Sequence, residues 1–466
     1  LSFLLPADFR ASVEHLINDW PAFEQALAAP PSLSVRIHPT KFKSTPNLEK
    51  VPWCPHGYYL NERPVFSFDP AFHGGAYYVQ EAGSMLLWHV LDYLFPENRE
   101  LKFLDLCAAP GGKSTLILSW LNNHGFLVAN EVIGKRARIL EENLNKWGYS
   151  NRLVTNSDPE KFEKIGELFD VIVVDAPCSG EGMFRKEEDA VSMWSLENVQ
   201  HCHLRQNRIL EQAMACLKPG GYLIYSTCTY NQIENEESIS GILKQFDASS
   251  IDLNLPESYN ITRSEIDGVI GYRCFPHKVR SEGFFTSVVQ KSNESDQLHN
   301  EYVKPGKSQK PDKNLKSVIA PWLLPRLTEV LEVTDTSYME HRGEVFFLPE
   351  AYFSFAMGLA SVLHVLSIGT HAGKIIRDEL IPSHELALSI DLKSGDFIQL
   401  EMSDEQALAY LKKESFSVDS KQLGLALCLH KGVACGWAKI ISGKLKNSYP
   451  VNLRIMHPQP HVVSLV

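Results

Sequence analysis

The chain has 466 residues, 44% hydrophobic and 22% charged, with a formal net charge of −11 and a pI near 5.9. That length calls for two or three cores, and the balance is that of an ordinary soluble protein, which excludes a disordered or fibrous chain. The negative charge excludes bulk attraction to nucleic acid, so any surface for RNA must be local, and no run of eighteen apolar residues reads as a membrane span.

Nine cysteines without a dense framework suit a reducing cytosol. The apolar run at 1–6 is too short for a signal peptide and lacks a basic start. Residues 1–75 read as an α/β extension for RNA binding. Within it Phe9, Val13, Leu16, Ile17, Trp20, Phe23 and Leu27 fall at helical spacings over 8–27. Residues 34–38 form a short strand, with Arg36 and Lys41 as candidate phosphate contacts or solvated surface charges. Cys54 and His56 lack the rest of a ligand set, so no metal is expected.

Leu86, Leu87, Val90, Leu91 and Leu94 share a face and predict an amphipathic helix over 78–95. A strand over 101–106 leads into Cys107-Ala108-Ala109-Pro110-Gly111-Gly112-Lys113. These small residues let backbone approach a ligand closely, and a helix from Lys113 presents its N-terminal amides there. The run has neither the phosphate-loop nor the dinucleotide spacing, so it suits a small cofactor without a pyrophosphate. The next strand, 125–130, ends on Glu131. An acid there either accepts hydrogen bonds from ribose hydroxyls or stabilises the N-terminus of a helix over 133–147. Beyond a third strand at 151–155, Asp158 is placed to bond an exocyclic amine of adenine or to cap the next turn.

A strand over 169–174 ends in Asp175-Ala176-Pro177-Cys178-Ser179-Gly180. After a helix over 199–217 and a Pro-Gly-Gly turn, a buried strand ends in Ser226-Thr227-Cys228-Thr229. In parallel α/β sheets the reacting groups sit just past the carboxyl ends of strands. If these two strands are neighbours, Cys178 and Cys228 meet over one pocket. The bland alternative is two ordinary buried cysteines. His201, Cys202 and His203 face different ways on their helix and share no metal. In a helix over 232–246, Glu234, Glu236 and Glu237 occupy the first turns, where the dipole favours acids. Residues 283–289 are a late strand that closes the sheet antiparallel.

The first unit therefore ends near residue 290. A polar stretch over 291–316, with Lys304, Lys307, Lys310, Lys313 and Lys316 at steps of three, reads as a basic linker. A middle α+β module covers 317–390, with strands at 344–348 and 362–368. The last module, 391–466, carries a helix over 404–412 and strands over 425–430 and 436–441. From residue 431 onward Lys431, Lys439, Lys444, Lys446 and Arg454 face no acid, which marks phosphate contacts or a solvated basic face.

Two thiols at strand ends have a chemical use if the cofactor is S-adenosylmethionine. Carbon 5 of a pyrimidine becomes nucleophilic only after a thiolate adds to carbon 6. Methyl transfer then leaves a proton on carbon 5, which must go before the thiol can depart. The runs at 107–113, 175–180 and 226–229 together resemble the Sun (Nop/Sun, Fmu-like) RNA cytosine-5 methyltransferases, over roughly residues 30–290. Ser34-Val35-Arg36 and Gln80-Glu81-Ala82-Gly83-Ser84-Met85 look like that family's entry segments. Lys446-Asn447-Ser448-Tyr449-Pro450 resembles the PUA-like tail of the RsmF type, bacterial enzymes that methylate 16S ribosomal RNA.

The resemblance implies an α/β fold: a Rossmann-like S-adenosylmethionine-dependent methyltransferase domain over 76–290, built on a seven-stranded, mostly parallel sheet, then smaller α+β modules, the last PUA-like. It makes Cys228 the covalent nucleophile, Cys178 the aid to product release and Asp175 the contact to cytosine. It assigns S-adenosylmethionine to Cys107, Ala108, Ala109, Pro110, Gly111, Gly112, Lys113, Glu131, Arg136, Asp158 and Asp175. The implied partner is RNA, 16S ribosomal RNA by the tail and transfer RNA as the alternative, for a monomeric cytoplasmic enzyme. A non-catalytic ribosome-assembly factor would not need both cysteines, and a nicotinamide-dependent oxidoreductase leaves the pair unexplained.

Overall fold

The computed structural model describes residues 5–456 except 43–45, 294–314, 317–322, 324–326, 328–329, 333–334, 378 and 420–421. Most of the basic segment expected at 291–316 thus lies outside the described residues.

Near the N-terminus, β1 (Leu33–Ile37), β2 (Gly57–Leu60) and β3 (Tyr77–Val79) form an antiparallel sheet in the order β2-β1-β3. The helical pattern at 8–27 is divided into helices Phe9–Val13 and Trp20–Ala28. Pro21 has no N–H to donate and fits only a first turn, and the Asp19 side chain accepts the Ala22 N–H at 3.0 Å to start the second helix. Phe9, Trp20 and Phe23 pack with Phe184, Trp194, Tyr230 and Phe275, so this segment braces parts of the chain far along in sequence. The helix expected over 78–95 begins later, at Leu86–Leu94. Tyr78 and Val79 are instead claimed by β1, which pairs Arg36 with Tyr78 and Val35 with Val79.

The main sheet has five parallel strands, β4 (Lys102–Asp105), β5 (Phe126–Asn130), β6 (Arg152–Thr155), β7 (Phe169–Asp175) and β8 (Leu217–Thr227), in the order β8-β7-β4-β5-β6. Their near-continuous apolar runs follow from burial on both faces. β9 (Ala248–Ser250), β10 (Thr262–Ile266), β11 (Val269–Cys274) and β12 (Phe284–Lys291) extend it, and β12 closes antiparallel on β8 as expected. The sheet has ten strands, not seven.

The tenth comes from the middle of the chain. There β13 (Leu315–Lys316), β14 (Thr336–His341), β15 (Glu344–Pro349), β17 (Thr370–Ile376) and β18 (Glu379–Pro382) make a separate sheet. Between them β16 (Val365–Ile368) crosses over and pairs antiparallel with β6. Helix Glu350–Ala360 packs Tyr352, Phe353, Phe355 and Met357 on the main core. The middle segment therefore covers an otherwise open sheet edge.

The last sheet, β19 (Ile398–Glu401), β20 (Gly424–His430), β21 (Val433–Ile441) and β22 (Lys444–Asn447), is joined by helix Asp404–Leu411, which a Ser403–Gln406 capping box starts. Leu427 and Trp437 share a core with Leu386 and Ala387, and Val433 packs among β1 and β2 residues. Truncation near residue 390 is therefore expected to expose apolar surface and lower the thermal midpoint of what remains. Scanning calorimetry of residues 1–390 against the full chain checks this.

Candidate active site

β7 and β8 are adjacent and parallel, with Asp175 opposite Ser226. Just past these ends the Cys178 and Cys228 sulfurs lie 3.2 Å apart, and neither is in a disulfide. A buried carboxylate ties the two loops together. Glu234 accepts the Ser179 N–H at 2.9 Å, the Ser179 hydroxyl, the Asn231 side-chain amide at 2.8 Å and the Gln206 amide at 2.9 Å. Gln206 also donates to the Pro177 carbonyl, and the Ser179 and Thr229 hydroxyls bond at 3.1 Å. Glu181 adds a second tie, accepting the Tyr230 and Asn231 N–H groups. Burial pushes the Glu234 carboxyl above the usual range, with its donors pulling the other way.

Glu234 and Glu236, read from the sequence as helix-start acids favoured by the dipole, take their places from specific partners instead. Both are buried, and Glu236 is ion-paired with Arg273 at 2.5 Å. The segment Ile233–Glu237 is a wide π-helical turn ahead of helix Ser238–Gln245.

Asp175 faces the cysteines from the end of β7. Its Oδ2 pairs with the Lys113 ammonium at 2.7 Å, and its Oδ1 accepts the Ser226 hydroxyl at 2.8 Å. Lys113 opens helix Gly112–Leu121, and Gly111 before it has φ of +114°, a conformation that favours glycine. Below the loop, Asp105 at the end of β4 is fully buried. Ser114 donates to its Oδ2 at 2.6 Å, its Oδ1 has no protein partner, and burial pushes the carboxyl up to about 7.

Two cavities meet here. One, of about 400 Å³, is lined by Ala108, Pro110, Gly112, Lys113 and Phe284. The other, of about 720 Å³, is lined by Glu131, Arg136, Asp158, Pro177 and Cys178. Cys107, Ala109, Asp175 and Cys228 belong to both walls. Every candidate site residue thus reaches one cavity except Gly111, whose part is the turn.

Glu131 lines the larger cavity and also accepts the Ile133 N–H at 2.9 Å at the start of helix Gly134–Trp147. Arg136 holds the Ala109 carbonyl at 2.8 Å and approaches Glu131 at 3.4 Å. Asp158 also lines the cavity while accepting the Glu160 N–H at 3.0 Å, a cap.

Arg36 and Lys41 are not phosphate contacts. Arg36 is fully buried and donates to Gln80 at 2.8 Å, Thr115 at 2.6 Å and the Gly112 carbonyl at 3.3 Å, and burial pushes it down to about 10. It buttresses the 107–113 loop from beneath. Lys41 donates to the Lys146 carbonyl at 2.7 Å and the Gly74 carbonyl at 3.2 Å, and burial pushes it down to about 7. Sequence reasoning missed Asp105, Ser226, Glu181 and Glu234. Asp105 had a signal: like Asp175, it ends an apolar strand. Among the described residues no cluster could hold a metal ion, and no helix is long and apolar enough to cross a membrane.

The model of the 16S rRNA methyltransferase RsmB/F family matches residues 91–290. That of the N-terminal domain of 16S rRNA methyltransferase RsmF matches 5–82, and that of the methyltransferase RsmF PUA domain matches 397–455. Ribosomal RNA small subunit methyltransferase F of Aeromonas hydrophila subsp. hydrophila is 31% identical over 412 residues, 87% of this chain and 85% of that protein. The chain belongs to this methyltransferase F family. Its relative of the same name from Shewanella sp. (strain ANA-3) is 30% identical over 92% of both chains, and that of Klebsiella pneumoniae (strain 342) 30% identical over 87% and 84%. NSun6 from Pyrococcus horikoshii, solved with SFG, shares the fold: TM-score 0.52 and 19% identity over 62% of this chain and 99% of that one. Membership in the methyltransferase F family accounts for the Rossmann-like core, and the terminal β19–β22 sheet falls in the PUA match.

Proposed function

We propose that the protein transfers a methyl group from S-adenosylmethionine to carbon 5 of a cytosine in 16S ribosomal RNA, through a covalent bond between Cys228 and carbon 6. The observation that carries this is the pair of sulfurs at 3.2 Å beside Asp175, on the wall where the two cavities meet. The descriptions of the matching family models supply the 16S ribosomal RNA, in keeping with relatives named for the small subunit.

The residues present fit the cofactor. A cavity of about 720 Å³ takes a nucleoside-sized ligand, Glu131 offers it a carboxylate, and Asp105 Oδ1 is a buried acceptor without a protein partner. Residues 107–113, Glu131, Arg136, Asp158 and Asp175 would hold it, and NSun6 from Pyrococcus horikoshii, which shares the fold, was solved with SFG. When bound, S-adenosylmethionine supplies an electrophilic methyl group on a sulfonium.

The chain's own groups divide the remaining work. The hydrogen bond to Cys228 and burial both push the Cys178 thiol well up, and we assign the shared proton to Cys178 on the resemblance that makes Cys228 the nucleophile. Cys228 is then the thiolate that attacks carbon 6, and the ring electrons move to carbon 5. Asp175, fixed by Lys113 and Ser226, meets the polar edge of the base. Once Cys228 is bonded to carbon its charge is gone, and with it the main hold on the Cys178 proton. Cys178 can then lose that proton to water and, as a thiolate, take the proton of the methylated carbon 5. The carbon 5–carbon 6 double bond re-forms and the Cys228 thiolate leaves.

The test is nucleoside mass spectrometry of unmodified 16S ribosomal RNA and of transfer RNA after incubation with the protein and S-adenosylmethionine. The expected product is 5-methylcytidine in 16S ribosomal RNA. A methyl group on another nucleoside overturns the reading, and methylation of transfer RNA alone overturns its target. In calorimetry, Glu131→Ala is expected to weaken S-adenosylmethionine binding by about 1–3 kcal/mol through loss of hydrogen bonds to a charged acceptor. Equal affinity for the two proteins removes Glu131 from the site.

The PUA sheet adds a surface for the RNA backbone. Lys439 and Lys446 are exposed partners opposite each other on β21 and β22, with Lys444 on the same face. Like charges so placed repel until an anion joins them. Changing all three to Gln is expected to flatten the salt dependence of RNA binding, by about 0.7 in log–log slope for each phosphate contact to single-stranded RNA. An unchanged slope removes this face from RNA binding.

A further inference from the structure

We infer that the groove between the N-terminal sheet and the main core is a subsite for the nucleotide next to the target cytosine, with Lys186 as its phosphate contact. This rests on the function proposed above. The groove has a volume of about 650 Å³ and continues into the smaller active-site cavity: Val79, Gln80, Glu81 and Lys186 line both. A base that enters the active site must leave its stack, so the backbone on either side has to be held nearby. Glu131 and Asp158, assigned to the cofactor's nucleoside, line only the larger cavity, whereas the groove opens into the smaller one.

Its walls have the chemistry of a nucleotide site. Pro30, Pro31, Leu33 and Leu60 offer apolar surface to a base or ribose. The two carboxylates nearest the active site are already engaged. Glu81 accepts the Ser281 hydroxyl, the Glu282 N–H and the Ser84 N–H, while Glu282 pairs with Arg185 at 2.8 Å and accepts the Ser32 N–H. Arg185 is spent inside the protein, also donating to the Ala26 and Ser281 carbonyls.

Lys186, the next residue, is the opposite case. Its N–H is tied to the Met183 carbonyl at 2.8 Å and its neighbour is anchored three ways, so its backbone is fixed. Its side chain is exposed, with no hydrogen bond or ion pair among the described residues. An ammonium without an ion pair, on a fixed backbone at the junction of two cavities, is suited to a phosphate, and its charge also offsets that of nearby Glu282. Arg63 stands exposed at the outer rim beside Glu62, while Arg280 is paired with Glu49 and stacked on Tyr59.

The experiment uses the full-length protein and a short RNA containing the methylated cytosine of 16S ribosomal RNA, located by bisulfite sequencing of the methylated product. Two further RNAs carry a neutral methylphosphonate at the linkage 5′ or 3′ of that cytosine. Lys186→Ala is expected to raise KM for RNA about tenfold, the loss of one charged hydrogen bond, with kcat within about twofold of wild type. Lys186→Arg should restore most of the affinity, and S-adenosylmethionine binding should not change. One of the two neutral linkages should cost wild type the same factor and cost Lys186→Ala nothing more. Unchanged KM in Lys186→Ala, or losses from both neutral linkages that add fully to it, overturns the subsite. If wild type does not make 5-methylcytidine in the unmodified RNA, it is the proposed function that fails, and the two failures are distinct.

Discussion

Cys178→Ala, incubated with target RNA and S-adenosylmethionine, is expected to leave a protein–RNA band on a denaturing gel, and Cys228→Ala is expected to leave none. The two sulfurs are 3.2 Å apart, so position alone does not separate their roles. In the proposed mechanism the proton separates them: it is assigned to Cys178, a thiol pushed well up by its hydrogen bond to Cys228 and by burial. Removing Cys228 removes the thiolate that adds to carbon 6. Methyl transfer should then fall by roughly 10⁴-fold or more, the scale seen when an enzyme loses its nucleophile. Removing Cys178 leaves attack and methylation possible but takes away the group that collects the carbon 5 proton, so the adduct persists. The reverse pattern would exchange the two roles, and no band with either variant would rule out the covalent route.

Glu236→Ala is expected to be the most destabilising of the substitutions considered, by about 3–5 kcal/mol, because it leaves a guanidinium buried and uncompensated. The Arg273 and Glu236 side chains are 2% and 1% exposed and bond at two points. Arg273 also donates to the Tyr230 carbonyl, two residues past Cys228, and to the Ser264 hydroxyl, and it stacks on Phe285. In a unit of this size each kcal/mol moves the midpoint by about 2–4 °C, so scanning calorimetry should show a fall on the order of 10 °C. The double change Glu236→Leu with Arg273→Met, which removes both charges, should recover most of it. A midpoint for Glu236→Ala within about 2 °C of wild type would contradict this assignment of the pair, since a loss of that size converts to no more than roughly 1 kcal/mol.

The local parts of the site were legible in the sequence. Pro110-Gly111-Gly112 announces a tight turn because positive φ and close backbone approach suit glycine, and Gly111 has that conformation at +114°. The apolar runs before Asp105, Asp175 and Ser226 read as buried parallel strands, and reacting groups follow the ends of such strands. Hence Cys178, Cys228, Glu131 and the 107–113 loop stand out as candidates from residue order alone, while the role given to Asp175 came from the resemblance. Each of these signals is carried within a few residues of chain.

Charges were the least legible, because whether a charge is buried depends on partners that spacing does not encode. Arg36 reads as a surface cation, yet its partners Gln80, Gly112 and Thr115 lie 44, 76 and 79 residues away and enclose it. Glu234 reads as a helix-start acid until the fold brings Ser179, 55 residues distant, within 2.9 Å. In the same way β16 reads as part of a separate module, and only its pairing with β6 assigns it to the main sheet. The sequence by itself determined the strand ends, the glycine turn and the identity of the two thiols, since turn chemistry and apolar periodicity act over a few residues. The tertiary structure alone decided that β7 lies beside β8, that Glu234 locks the cysteine loops together and that Lys186 stands where two cavities join. Those facts depend on which distant segments share a core, and a buried polar group takes its place from the partners that satisfy it.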